Sequence, residues 1–146
     1  DGRIGQSTEN ATLLIKVAAE TATGKRGKMY IFGDDYSTHD GTGIRDYIHV
    51  VDLAQAHIEA LEYLEDNESD VFKVGYGRGF SVKEVIDTMK KVSGVDFRVE
   101  LKDRRAGDPA ILISDNTKIK NTMNWQPKLD DLEVICQTTL NWEKKL

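Results

Sequence analysis

The chain has 146 residues, of which 39% are hydrophobic and 31% charged, and its formal net charge is −5 at pH 7. No stretch approaches the roughly 20 apolar residues of a membrane-spanning helix, and an acidic chain gains nothing from the counterion release that drives nucleic-acid binding. Cys136 is the single cysteine, which excludes an intrachain disulfide and a cysteine-rich zinc site. These features predict a globular protein of the reducing cytoplasm, with no membrane and no nucleic acid as partner.

Apolar periodicity and turn residues predict the elements of the first half of the chain. In order, these are a loop over 1–10, a helix over 10–24 with Asn10 as its N-cap, a strand over 29–33, a strand over 46–51, and a helix from its N-cap Asp52 to about Glu65. The last of these helices carries apolar residues at helical spacing, so one of its faces is expected to pack against another part of the protein.

The second half of the chain continues the alternation of strands and helices. The predicted elements are a strand from Val71, a helix over 81–94 that Ser81 and Glu84 open as a capping box, strands over 96–102 and 111–114, a helix around 116–123 and a last helix from Asp130. Alternating elements predict an α/β protein. Because the apolar runs are short and no long strand leads the chain, the pattern is typical of the second half of a two-layer protein.

Several motifs of nucleotide and metal chemistry are absent. The chain has no Tyr-x-x-x-Lys, no dinucleotide-binding glycine turn, no phosphate-binding Gly-x-x-x-x-Gly-Lys loop and no pair of histidines at helical metal-ligand spacing. The glycines of "GYGRG", at 75–79, lack the dinucleotide spacing. They favour instead a turn at which the backbone closely approaches a ligand.

Two arginine-containing loops are the candidates for chemistry. Arg45 and Tyr47 follow the glycines at 41 and 43, and "DRRAGDP", at 103–109, places two arginines in a bent loop after a strand. The planar donors of an arginine fork match phosphate oxygens in pairs, so two such loops could close on one diphosphate. Ordinary surface salt bridges are the alternative that spacing alone leaves open.

A longer set of motifs resembles a known family across essentially the whole chain. The segments "GRIG", "LLIKVA", "IFGDDY", "GTGIRDYIHV" followed by "DLAQAH", and "RRAGDPA" occur in the order and at the spacing of the UDP-glucose 4-epimerases, which belong to the extended short-chain dehydrogenase/reductases. The resemblance implies the C-terminal, UDP-sugar-binding lobe of an extended Rossmann-type enzyme, with the last strand and helix of the Rossmann part. Because the chain starts at Asp1 and not at Met, we expect 1–146 to be a fragment whose NAD-binding domain precedes it and whose residues 46–76 pack on that domain's sheet.

The resemblance also implies roles for individual residues. Arg45 and Tyr47 would contact the diphosphate region, and Arg105 and Asp108 the diphosphate and a ribose or sugar hydroxyl. The backbone of Tyr30, Ile31 and Phe32 would hold the edge of the uracil ring. Leu14 and Val82 would line the pocket. No catalytic, NAD-binding or metal-binding residue is expected in this chain.

The implied activity is the interconversion of UDP-galactose and UDP-glucose through a transient 4-keto sugar, with NAD as cofactor. We expect this chain to be inactive alone and to form a homodimer, because its unpartnered apolar faces would associate. The choice between plain and N-acetylated UDP-hexoses stays open. A free-standing nucleotide-sugar-binding or scaffold domain, and another dehydratase or epimerase of the extended family, are the alternatives.

Overall fold

The computed structural model describes residues 4–146, so the first three residues of the predicted N-terminal loop lie outside it. The elements are α1 (Leu14–Ala22), β1 (Met29–Phe32), β2 (Ile44–Arg45), α2 (Val50–Asp66), β3 (Phe80–Ser81), α3 (Val82–Ser93), β4 (Val99–Lys102), β5 (Ile111–Leu112), α4 (Thr117–Thr122) and α5 (Leu132–Glu143). Their mixture confirms the α/β class. Across residues 4–146, no helix is long and apolar enough to cross a bilayer.

The strands of the described residues form two small sheets. In the first, β1 pairs in parallel with β4, so that Met29 lies opposite Val99 and Phe32 opposite Lys102. In the second, β2 lies between β3, which is antiparallel to it, and β5, which is parallel. Parallel strands point their carboxyl ends in the same direction, so the loops after β1 and β4 leave the first sheet side by side.

The larger core lies between α1, α3, α5 and β1. Its buried residues are Ala18, Ala19, Met29, Val85, Ile86, Met89, Phe97, Leu132, Cys136 and Leu140. Strand β1 enters this core through Met29 and Ile31, because side chains alternate between the two faces of a strand. The core therefore fixes the position of the strand from which the first loop departs.

A smaller core lies under α2. Ala56 of α2 packs with Ile119, Met123 and Trp125. Partly buried apolar side chains of α2 and of the segments before and after it surround these residues. Other apolar residues of α2 face away from this core and are exposed, for example Leu61 at 68%. Helix α2 is therefore covered along one side only within the described residues.

The capping box of α3 is confirmed. The Ser81 hydroxyl accepts the amide hydrogen of Glu84 at 3.0 Å, and the Glu84 carboxylate accepts that of Ser81 at 2.6 Å. Gly94 ends the helix with a left-handed φ of 70°. The motif was predictable because all of its partners lie within one turn.

The predicted start of the first helix is wrong. Asn10 has a φ of 54° and lies in a turn, and α1 begins at Leu14 without a side-chain cap. Asparagine tolerates the left-handed conformation better than most residues, so here it forms a turn instead of capping a helix.

The predicted strand over 46–51 and the cap at Asp52 are also wrong. The strand is β2, which ends at Arg45, and α2 begins at Val50. The cap is His49, whose Nδ1 accepts the amide hydrogen of Val51 at 3.1 Å. Asp52 lies in the first helical turn, where its carboxylate accepts hydrogen bonds from Tyr76, Lys128 and Leu129.

The strand predicted from Val71 is absent, because residues 67–79 have no regular secondary structure. A strand requires a partner, and no strand of the described residues pairs with this segment. Its apolar residues Phe72 and Val74 pack against the smaller core instead.

Candidate functional site

The candidate site lies where the loops after β1 and β4 meet. Gly33 continues the pairing by donating its amide hydrogen to the carbonyl oxygen of Lys102 at 2.8 Å. It then turns the chain with a φ of 84°, and a Cβ atom at this position would lie 2.5 Å from Arg104 and 2.9 Å from Tyr36. Only glycine fits this close approach, which brings the two loops together.

Arg104 connects the two loops directly. Its Nε donates a hydrogen bond to Asp35 Oδ1 at 2.5 Å, and its Nη2 donates to the backbone oxygen of Asp35. Its guanidinium also lies 4.2 Å from the centroid of the Tyr36 ring. The hydrogen bond from Arg104 lowers the pKa of Asp35 below its usual value, so Asp35 is ionised at neutral pH.

Arg105 lies on the neighbouring aromatic side chain. Its guanidinium is 3.8 Å from the centroid of the Phe32 ring. An open depression of about 520 Å³ is lined by Phe32, Leu101, Lys102, Asp103, Arg104 and Arg105. Two of the predicted ligand residues, Phe32 and Arg105, therefore share one cleft.

Two lysines lie near the ring of Tyr30: Lys28 Nζ is 5.4 Å and Lys102 Nζ is 3.9 Å from its centroid. Strand β1 has β4 as its one strand partner in the described part of the chain. The amide hydrogens of Met29 and Gly33 point to β4, and backbone groups alternate along a strand. The backbone groups of Tyr30 and Phe32 therefore lie on the open edge, whereas those of Ile31 face β4.

Arg45, at the end of β2 in the second sheet, lies near Asp108 in the loop before β5. Arg45 Nη1 donates a hydrogen bond to the carbonyl oxygen of Ile44 at 2.8 Å, and Nη2 lies 3.9 Å from Asp108 Oδ1. The Asp108 amide hydrogen bonds back to the Arg105 carbonyl at 3.3 Å across a turn in which Gly107 has a φ of 83°. Asp108 thus links the two arginines, since its carboxylate lies near the Arg45 guanidinium and its amide is bonded to the backbone of Arg105.

The remaining predicted residues are partly buried on the larger core. These are Leu14, Ile31, Tyr47 and Val82. Burial raises the pKa of the Tyr47 hydroxyl to about 12, although the nearby charge of Arg45 opposes the shift. Tyr47 is therefore a neutral hydrogen-bond donor at neutral pH.

Gly75 makes a close backbone approach within the chain itself, and the approach of the turn at 75–79 to a ligand stays a prediction. A Cβ atom on Gly75 would lie 2.6 Å from a carboxylate oxygen of Asp46. That carboxylate accepts amide hydrogens from Tyr76 at 3.0 Å, Gly77 at 2.9 Å and Ser114 at 3.3 Å. The close backbone approach is to Asp46, which fixes this turn beside β2.

Sequence reasoning missed Arg104, Asp35 and Tyr36 as residues of the site. The adjacent acids and the paired arginines are visible in "GDDY" and "DRRAG", but no local pattern says which arginine meets which acid. No group of three or more His, Cys, Asp or Glu side chains within residues 4–146 could hold a metal ion.

Comparison with known proteins identifies the family of the chain. The chain belongs to the family whose sequence profile, described as GDP-mannose 4,6 dehydratase, matches residues 4–139. Within this group it is homologous to the UDP-glucose 4-epimerases, NAD-dependent short-chain dehydrogenase/reductases, which confirms the resemblance seen in the sequence motifs.

Three relatives illustrate the similarity. The UDP-glucose 4-epimerase of Azospirillum brasilense is 48% identical over 146 residues, which cover 99% of this chain and 42% of that protein. A solved UDP-Glc/GlcNAc 4-epimerase from Campylobacter jejuni is 67% identical, with a TM-score of 0.85 over 97% of this chain and 43% of its own. The Bifidobacterium longum enzyme in complex with NAD⁺ and UDP is 35% identical, with a TM-score of 0.92 over 99% of this chain and 43% of its own. The chain therefore spans less than half the length of these relatives.

Proposed function

We propose that this chain is the C-terminal, UDP-sugar-binding part of an NAD-dependent UDP-glucose 4-epimerase that interconverts UDP-galactose and UDP-glucose in the cytoplasm. The observation that carries the proposal is the position of Asp108, which lies 3.9 Å from Arg45 Nη2 and is hydrogen-bonded to the backbone of Arg105, whose guanidinium lies on the Phe32 ring of β1. The relationship to UDP-glucose 4-epimerases supports it, as does the relative solved with UDP.

The geometry supports the binding roles that the family resemblance implies. The backbone groups of Tyr30 and Phe32 on the open edge of β1 can pair with the edge of a uracil ring. The two arginines supply fork-shaped donors to the diphosphate, and the Asp108 carboxylate can accept a ribose or sugar hydroxyl. Because Arg105 is held by a ring contact and Arg45 lies 3.9 Å from Asp108, both guanidinium groups can turn to an anion without breaking a short ion pair.

NAD does not fit the residues of this chain. The glycine turn at 75–79 lies against Asp46, whose carboxylate already accepts the amides of Tyr76 and Gly77. The sequence also has no glycine turn with the dinucleotide spacing that leads into a helix N-terminus. We therefore assign NAD to a domain outside this chain.

The test is a calorimetric titration of UDP into this chain. Arg45→Gln and Arg105→Gln should each weaken UDP binding about tenfold, because each removes a charge-assisted donor pair. Arg78→Gln, a substitution outside the cleft, should leave the affinity unchanged. Equal affinities for all of these variants would contradict the assignment of the two arginines.

The activity is tested in the complete gene product. UDP-galactose is supplied together with UDP-glucose dehydrogenase, and NADH formation is followed. The complete gene product should form NADH and the 146-residue chain alone should not. UDP binding without conversion by the complete product would favour a nucleotide-sugar-binding or scaffold domain instead.

The substrate range should include N-acetylated sugars. The relative from Campylobacter jejuni, described as a UDP-Glc/GlcNAc 4-epimerase, is 67% identical to this chain over the 43% of its own length that the chain covers. The complete gene product should therefore convert UDP-N-acetylglucosamine at a rate similar to that of UDP-glucose. Conversion of UDP-glucose alone would limit it to plain hexoses.

We further infer that residues 46–76 pack on the sheet of the NAD-binding domain and that the protein is a homodimer. The exposed apolar side chains of α2, together with Val71 at 82% exposure, support this placement. Hydrogen exchange of the α2 amides should be slower in the complete gene product than in this chain.

A further inference from the structure

The two adjacent arginines of the cleft are held very differently. Arg105 lies on the Phe32 ring and forms no salt bridge or side-chain hydrogen bond within residues 4–146. Arg104 donates two hydrogen bonds to Asp35, and its guanidinium carbon lies 4.2 Å from the centroid of the Tyr36 ring. One arginine is free to turn to a ligand, whereas the other is fixed.

The loop that holds Arg104 is itself anchored. The Tyr36 amide hydrogen bonds to the Gly41 carbonyl at 2.8 Å, which closes the loop after β1. At the far end of that loop, Asp40 accepts a hydrogen bond from the buried Ser81 hydroxyl at 2.5 Å, at the start of α3. A continuous set of contacts therefore runs from α3 through the loop to Arg104.

We propose that Arg104 is a positioning residue, which holds the turn bearing Arg105 and Asp108 in place through Asp35 and Tyr36. The inference rests on the proposed function, because it assigns Arg105 and Asp108 to the UDP-sugar. It adds a residue that touches no substrate and acts through the backbone of its neighbour.

The exposure of the pair favours positioning over a contribution to stability. The side chains of Arg104 and Asp35 are 44% and 72% exposed. Exposed ion pairs of this kind contribute little to folding, because water screens them and ordering the side chains costs entropy. A contact with two hydrogen bonds and a ring, however, fixes direction as well as distance, because the guanidinium is planar.

The Asp35→Ala variant distinguishes positioning from simple electrostatics, because the two predict opposite changes in UDP affinity. Asp35→Ala deletes a negative charge near the cleft, so electrostatic attraction alone would tighten the binding of an anion. If Arg104 positions the turn, the same substitution loosens Arg105 and weakens binding. Arg104→Lys makes the same distinction, since it keeps the charge but loses the planar fork.

The chain contains a matched control away from the cleft. Arg78 Nε donates to Asp130 Oδ1 at 2.9 Å, its Nη2 donates to the Asp130 backbone oxygen at 2.7 Å, and its guanidinium lies 4.8 Å from the Phe80 centroid. Asp130→Ala therefore removes an equivalent contact at a place that bears no predicted ligand residue.

The experiment titrates UDP into this chain and into its Asp35→Ala, Arg104→Lys and Asp130→Ala variants. We expect UDP affinity to fall about threefold in the first two and to stay unchanged in the third. Unchanged or tighter binding in Asp35→Ala, or an equal loss in Asp130→Ala, would overturn the proposal.

Hydrogen exchange without ligand keeps this result separate from the proposed function. The amides of 103–108 should exchange about threefold faster in Asp35→Ala than in the unaltered chain, and at the unaltered rate in Asp130→Ala. If the unaltered chain binds no UDP, the proposed function fails, and the exchange rates still decide whether Arg104 holds the turn. Equal exchange in all variants would contradict that role.

Discussion

Arg45, Asp46 and Tyr47 are consecutive, yet their side chains go to three places. Arg45 turns toward Asp108, and Tyr47 packs on the larger core. Asp46 accepts three amide hydrogens from the segments around Gly77 and Ser114. The middle residue of this motif is therefore structural, and it fixes the strand from which its neighbours project.

Asp46→Ala should lower the free energy of unfolding by about 2 kcal/mol, because it leaves partly buried amides without their acceptor. Urea denaturation of the two chains measures the difference. Asp87→Ala, at an exposed position of α3, should change it by less than about 0.5 kcal/mol. A similar loss in both variants would show that Asp46 has no special role.

At the level of residues, the sequence predicts the cleft only in part. Arg45 and Arg105 are recognisable because both belong to motifs that resemble a family. The contact between Arg104 and Asp35 depends on the parallel pairing of β1 with β4, whose register no local pattern specifies. A contact between residues far apart in sequence therefore had to come from the structure.

Helices α1 and α5 are joined by charges buried beside the larger core. Glu143 is 1% exposed, and its carboxylate lies 2.5 Å from Lys16 Nζ and 2.8 Å from Lys25 Nζ. Lys25 Nζ also donates to the backbone oxygen of Glu143 at 2.7 Å. Charges removed from water in this way depend on one another, because either one alone would be costly to bury.

Glu143→Gln should therefore destabilise the chain by about 2 kcal/mol, since it removes the shorter ion pair of the buried Lys16 and leaves it only Glu20, at 3.5 Å. The exposed pair of Lys91 and Glu133 provides the control, and Glu133→Gln should cost less than about 1 kcal/mol. Thermal unfolding followed by circular dichroism compares the two. Equal shifts in the melting temperature would mean that burial does not strengthen the ion pair between Glu143 and Lys16.

The pH dependence checks the same contact. Burial raises the pKa of Glu143, but its hydrogen bonds with Lys16 and Lys25 outweigh burial and lower the pKa below the usual 4.5. The stabilisation is therefore complete above pH 4.5 and is lost as the pH falls through the lower, folded-state pKa. Unfolding measured from neutral pH to about pH 3 should show the gap between Glu143→Gln and the unaltered chain narrowing on the acid side.

Elements were predictable where their determinants are local. Helix α3 follows from Ser81 and Glu84, which contact each other within one turn. The start of α2 was misplaced because aspartate is a common N-cap residue and histidine an uncommon one. The sequence therefore favoured Asp52, whereas the structure has His49 as the cap. The segment from Val71 failed as a strand because a strand needs a partner that the described residues lack.

The whole molecule has apolar surface that its own cores do not cover. Val50 at 67%, Leu61 at 68% and Leu64 at 50% exposure lie on α2, and Leu112 at 60% exposure lies on the outer strand β5. Apolar surface of this kind promotes association when nothing covers it.

This chain alone should therefore sediment as a dimer at high concentration. Leu61→Lys should shift it toward the monomer, because a charge on the exposed side of α2 opposes burial. Val134→Lys, on the exposed side of α5, should have no effect. A monomer at every concentration would contradict the association.

The parallel pairing of β1 with β4 also decides when the cleft can exist during synthesis. Strand β1 leaves the ribosome well before β4, because α2 and α3 lie between them along the chain. Until Lys102 and Arg104 have been translated, Asp35 lacks its partner Arg104, although the far end of the loop can already contact Ser81. If UDP binds as proposed, it can therefore protect only a nascent chain that has already grown past the turn carrying Arg105, and the earlier stages of folding proceed without that help.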